Sequence, residues 1–251
     1  MRGDKQGLGL LKVGKYFTKF GLAAVIACVG FYAPPATAQT TGLFGSREIH
    51  STNMKAFGKW TGVWRRQNLE ERKASSTDDD KIGPNSSCRG RAKIKCNRDA
   101  WNKFIESQRS GGAAAKGEDP ALSIELLKAV NLYMNRNRYI VDPVNWGVPD
   151  HWSTPDEFFL KSGDCEDYAI SKFVTLKRLG VDAARMRLVV LQDENLRAAH
   201  AVLAVELDGT YHILDNQVDS VLTHDKILHY RPVYSINEGN WWLHQVKRFG
   251  R

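Results

Sequence analysis

Asp208-Gly209 constrains the fold more than any other stretch of this chain. Two residues of this type between runs of strand formers make a tight hairpin turn. The run before it is Ala198-Ala199-His200-Ala201-Val202-Leu203-Ala204-Val205-Glu206-Leu207, and the return run is Thr210-Tyr211-His212-Ile213-Leu214-Asp215. A two-residue loop pairs position 207 with 210 and so sets 202 opposite 215. Cross-strand partners share a face, and so do residues 200 and 202. His200 and Asp215 are therefore expected as diagonal neighbours on one face, while His212 faces away. A slip of one residue would part them.

A second stretch supplies what such a pair would act on. Thr154-Pro155-Asp156-Glu157 reads as a capping box opening a short helix, which Gly163 is expected to end. Asp164 then stands at the next N-cap. Ile170, Phe173, Val174, Leu176 and Leu179 recur at helical spacing until Gly180. Cys165 falls in the first turn, where free backbone N–H groups and the helix dipole favour a thiolate. A small, buried, inert cysteine is also common in such a place. With His200 and Asp215 available, the chemical reading gains: histidine takes the thiol proton and the carboxylate fixes its tautomer. Asp164, Glu166 and Asp167 crowd the sulfur with negative charge, which opposes ionisation unless something neutralises it. A bound Ca²⁺ would do so. The alternative is that Asp164 is an N-cap and the other two are first-turn acids favoured by the dipole.

The N-terminus reads as a signal peptide over residues 1–38. Arg2, Lys5, Lys12, Lys15 and Lys19 precede an apolar run from Phe20 to Ala33, and Ala36-Thr37-Ala38 is an A-x-A cleavage site. Pro34-Pro35 ends the run before it is long enough to span a bilayer. A lipoprotein signal at Val25-Ile26-Ala27-Cys28 ranks lower. The full chain carries a net charge of +8; without residues 1–38, which hold five basic residues and Asp4, it carries +4. The remaining charges are dispersed, which removes most support for nucleic-acid binding. A periplasmic location follows from the signal, and with it a disulfide between Cys88 and Cys96. A zinc site on those two is weaker, because no histidine pair follows. Cys165 is left unpaired.

The expected organisation is a polar N-terminal region over residues 39–118 and a core over 119–251, with one compact domain from about 57 onward. Residues 39–58 read as poorly ordered. Residues 70–84, including Asp78-Asp79-Asp80, read as an exposed loop. Asp119-Pro120 reads as a helix start, with Leu122, Leu126, Leu127, Val130 and Met134 as its buried stripe. Strands are expected over 185–191, 230–236 and 241–243. The sum is an α+β fold, helices against a mostly antiparallel sheet.

Beyond the order Cys, His, Asp, several spaced blocks agree: Trp146-Gly147, Asp150-His151-Trp152, Thr154-Pro155-Asp156-Glu157-Phe158, Gly163-Asp164-Cys165-Glu166-Asp167-Tyr168, His200-Ala201-Val202-Leu203, Leu214-Asp215-Asn216 and Tyr234-Ser235-Ile236-Asn237. Together they resemble the bacterial transglutaminase-like cysteine proteinases, from about Trp60 to the C-terminus. The resemblance implies a transglutaminase-like, papain-like fold and a periplasmic cysteine endopeptidase with Cys165, His200 and Asp215 as catalytic residues. It implies Ca²⁺ held by the acids flanking the cysteine, carried over to Asp164 and Glu166 and less firmly to Asp167. It also implies a protein substrate, the N-terminal region of a large surface adhesin tied to biofilm formation, and a membrane receptor that sequesters the protease. Two other readings stay open: an acyl transferase or amidase using the same thioester, and a non-catalytic binding module of this fold.

Overall fold

The structure is a computed structural model that describes residues 42–75, 92–111 and 122–246. The expected signal segment, Asp78-Asp79-Asp80, Cys88 and Asp119-Pro120 lie outside the described residues. Among those described, six α-helices pack on one seven-stranded sheet. The helices are α1 (Gly58–Ser75), α2 (Ala92–Gly111), α3 (Ile124–Asn135), α4 (Asp142–Asn145), α5 (Pro155–Lys161) and α6 (Cys165–Arg178). The strands are β1 (Arg47–Ser51), β2 (Met186–Asp193), β3 (Ala198–Leu207), β4 (Thr210–Leu214), β5 (Leu222–Thr223), β6 (Tyr230–Ile236) and β7 (Trp241–Gln245). Their order in the sheet is β1-β7-β6-β2-β3-β4-β5, with every pairing antiparallel. No described helix is long and apolar enough to cross a membrane.

The period of two along β3 divides the core. Leu203, Val205 and Leu207 face the helices, where Ile170, Phe173 and Leu176 of α6 are buried with Trp60 of α1, Trp101 of α2 and Val130 of α3. Val202 and Ala204 face the other way, against Val189, Leu191, Ile213 and Tyr230. Leu43, in a 3-10 turn over Leu43–Gly45, closes this second cluster. The segment expected to be poorly ordered is therefore partly built into the fold. Leu43 is buried, and β1 pairs along β7 with Glu48 bonded to Arg187 at 2.8 Å.

The hairpin has the expected register. Asp208 (φ 53°) and Gly209 (φ 76°) take the left-handed conformations that a tight turn demands. Leu207 pairs with Thr210, and pairing continues to Leu203 with Leu214. There β4 stops, while β3 continues back to Ala198 and stays paired with β2. In a two-residue hairpin the peptide groups of 207, 205 and 203 point at β4. By the same alternation the peptide of Ala201 points into the space that β4 leaves.

Three boundaries differ from expectation. α1 runs through Ser75, so the charged stretch begins as helix. α3 opens at Ile124, not Pro120, because the Ser123 hydroxyl accepts the Leu126 N–H and caps it. α5 ends at Lys161, with Ser162 (φ 70°) rather than Gly163 taking the left-handed turn. Elsewhere a bulge interrupts the pairing of β2 with β6: Val190 opposes Tyr234 but Leu191 opposes Pro232, leaving Val233 extra. The bulge turns over the alternation, so Tyr230 joins the second cluster and Tyr234 packs on the helix side.

Phe173 is fully buried, with Trp60 at 5.5 Å and Trp64 at 5.6 Å between ring centroids. Replacing it with Ala is expected to cost about 3–5 kcal/mol of stability, read as a lowered urea midpoint with an unchanged m-value.

Candidate active site

Cys165 opens α6 as expected, so its own peptide N–H is among those the helix leaves unpaired. The Ala201 N–H, in the space beyond the end of β4, faces the Cys165 sulfur and favours the thiolate. Ala201 follows His200. The His200 Nε2–H donates to Asp215 Oδ1 at 2.9 Å, and both side chains are buried. That leaves Nδ1 of His200 as the nitrogen able to take a proton. Asp215 also accepts the Gln217 N–H at 2.9 Å and the Tyr230 hydroxyl at 2.6 Å. Burial alone would push the Asp215 carboxyl up; the bonds from His200, Gln217 and Tyr230 outweigh it and hold the group below its usual range.

The acids around Cys165 tell a different story. Asp164 stands at the N-cap position, yet its side chain makes no capping bond. Asp164 Oδ1 and Asp142 Oδ1 are both buried without a hydrogen-bond partner. Asp142 uses its other oxygen to accept the His151 N–H. Carboxylate oxygens of Asp142, Asp164 and Asp167 lie within 4.8 Å of one another, and so do those of Asp142, Asp150 and Glu166. Asp167 differs from the rest. Its oxygens accept from the Ser153 N–H at 2.6 Å and the Ser153 hydroxyl at 3.0 Å, so it braces the turn ahead of α5. This also explains Gly163: a Cβ there would meet Asp167 Oδ2 at 2.1 Å.

Crowded carboxylates resist ionisation. Burial first, then Asp164 and Asp167, raise Glu166 to about 9. Burial, with Asp164 beside it, raises Asp167 to about 8 against the Ser153 bonds. Asp142 and Asp164 shift upward too, chiefly through burial. The Cys165 thiol donates to Glu166 Oε2 at 3.3 Å. Burial, then the Glu166 and Asp164 charges, hold it well above the ordinary thiol range. An all-oxygen cluster with unfilled buried lone pairs fits a hard divalent cation. Asp142, Asp164 and Glu166 would hold it, with the exposed Asp150 at the rim.

A free cysteine that opens a helix and a buried histidine–aspartate pair on the hairpin are the parts a thiol acyl-transfer enzyme of the transglutaminase-like class needs. The family model of the bacterial transglutaminase-like cysteine proteinases matches residues 97–245, and the chain belongs to that family as a cysteine peptidase. Among solved structures it is similar to LapG of Legionella pneumophila, at 30% identity over 62% of this chain and 81% of that one (TM-score 0.51). A calcium-bound LapG of the same organism matches at 26% identity over 75% and 93% (TM-score 0.51). An EGTA-treated form matches at 29% over 63% and 80% (TM-score 0.52). No curated protein matches.

Asp142, Asp150 and Tyr230 were not expected at this site. Asp142 arrives because Tyr139 bridges to Gly163 and the Ile140 N–H donates to the Gly163 carbonyl at 2.9 Å. That contact joins segments far apart in the chain, and no local spacing announces it.

Raised carboxyls make the metal-free fold sensitive to base. The folded chain holds these protons more tightly than the unfolded chain. Their contribution to stability is thus full below about pH 4 and is lost as pH climbs through the Glu166 and Asp167 values of about 9 and about 8. The melting temperature of chelator-treated protein is expected to fall between pH 5 and 9, and Glu166→Gln to flatten that fall; a flat wild-type profile would contradict the arrangement.

Proposed function

We propose that this peptidase cleaves protein substrates with Cys165 as nucleophile, His200 as general base and acid, and Asp215 as the group that orients His200. The observation that carries this reading is the buried His200–Asp215 pair at 2.9 Å, with the peptide next to His200 facing the Cys165 thiol. In the first step the thiol proton passes to His200 Nδ1 and sulfur attacks the scissile carbonyl carbon. The Cys165 peptide N–H, at the start of α6, donates to the oxyanion that forms. Collapse breaks the C–N bond, His200 returns its proton to the leaving amine, and an acyl-thioester remains. Water activated by His200 then releases the acid.

The cofactor we propose is Ca²⁺, held by Asp142, Asp164 and Glu166. When bound it supplies positive charge that offsets the acids crowding the thiol. The unfilled Asp142 and Asp164 oxygens support this, together with the calcium-bound form among the similar structures. A periplasmic location follows from the leader read at residues 1–38, with Cys88 paired to Cys96. The proposed substrate is a segment of a large surface adhesin, with an inner-membrane receptor restraining the enzyme; support here is the family resemblance.

The test is iodoacetamide labelling of the chain from Gln39 across pH, with and without Ca²⁺, beside kinetics on a peptide substrate. Labelling near neutral pH is expected to need both His200 and Ca²⁺. Cys165→Ala and His200→Ala should each lower kcat by roughly 10³-fold or more. Asp164→Asn should remove Ca²⁺ binding by calorimetry. Full activity in Cys165→Ala would overturn the mechanism. Labelling that needs His200 but ignores Ca²⁺ would overturn the cofactor alone.

A further inference from the structure

Asp215 has two carboxylate oxygens, and only one faces His200. The other takes the Tyr230 hydroxyl at 2.6 Å. The same residue touches the imidazole: its ring meets the His200 ring edge-on, centroids 5.7 Å apart at 62°. Tyr230 is therefore in contact with both members of the pair and is itself 3% exposed. Its place is built rather than incidental. The bulge at Val233 puts it on the face of the sheet that carries His200 and Asp215. Phe44 packs against its ring at 5.9 Å and His229 at 4.6 Å. Nothing in the cleavage steps above uses its hydroxyl.

Resting on the triad reading, we propose that Tyr230 is a positioning residue of the reaction: its hydroxyl fixes the rotation of the Asp215 carboxylate and its ring fixes the plane of the His200 imidazole. A carboxylate bonded on one oxygen only can turn about its last torsion and present either oxygen, or neither, to His200. The Gln217 N–H anchors Oδ1 as well; with Oδ2 engaged by Tyr230 the carboxylate is held at both oxygens, Oδ1 stays on Nε2, and Nδ1 stays turned out for the thiol proton. Burial, then the Asp215 charge beside it, push the phenol far above its usual range, so it stays a donor throughout the working pH range. The hydroxyl also shares the carboxylate's charge. Without it, Asp215 would grip the imidazolium more strongly and His200 would hold its proton to higher pH.

Other charged groups stand close enough to matter. They are Asp193 on β2 opposite Tyr230, Lys172 on α6, Asp219 in the turn after β4, and His229 at the head of β6. Tyr230→Phe keeps all of them and keeps the ring, so it isolates the hydroxyl.

The experiment has two readouts in Tyr230→Phe against wild type: kcat and KM on a peptide substrate, and the His200 titration followed by NMR of ¹³C-labelled imidazole in a Cys165→Ser background. Expected are a kcat lowered about tenfold, KM within about twofold, and a His200 midpoint moved to higher pH. Incorporating 3-fluorotyrosine at position 230, a stronger donor of nearly the same shape, should move the midpoint the opposite way. A purely structural role would not give opposite shifts. Unchanged kcat and an unmoved His200 midpoint in Tyr230→Phe would overturn the assignment while leaving the triad standing. If the triad reading itself were wrong, Cys165→Ala would keep its activity, a separate result.

Discussion

The site depends on a strand that ends early. β4 gives up its pairing at Leu214 while β3 runs on to Ala198, and the Ala201 N–H is left pointing into open space. A buried peptide N–H without a partner is costly, and this one faces the Cys165 sulfur, where it favours the thiolate. Apolar packing of α6 on β3 sets the helix start against the hairpin. It brings Cys165, on the helix side of the sheet, to face the peptide that follows His200, whose side chain belongs to the opposite side. Were β4 longer by two residues, its backbone would pair with Ala201 and the sulfur would be displaced.

Local chemistry explains what was legible beforehand. Asp208-Gly209 dictates its turn, the turn dictates the register, and the register dictates that His200 and Asp215 meet. The Thr154 capping box and the start of α6 at Cys165 follow from residue types within one helical turn. What escaped was set by partners distant in sequence. β1 reads as polar coil because its strand identity comes from pairing with β7 and from Arg187. Tyr230 was hidden by the bulge, since unbroken alternation would have put it on the same face as Tyr234. Gly163 was assigned to ending a helix, a local role; its actual constraint is the Asp167 carboxylate.

Two kinds of carboxylate meet within this small region. Asp215 is saturated with donors and stays ionised. Asp142, Asp164 and Glu166 are short of donors and crowd one another, and burial shifts their carboxyls upward. Asp167 lies between, with Ser153 on its oxygens yet still raised. Burial is common to all of them, so supply of hydrogen-bond donors decides which behave as orienting groups and which as candidate ligands.

The raised Cys165 thiol has a bearing on survival as well as on reaction. Peroxides and disulfides attack or exchange with thiolates far faster than with thiols. A nucleophilic sulfur in an oxidising medium is ordinarily the first casualty of that medium. Here burial first, and then the acids beside it, shift the Cys165 thiol well above its ordinary range. The burial and acids that restrain the sulfur as a nucleophile would, by the same means, slow its oxidation.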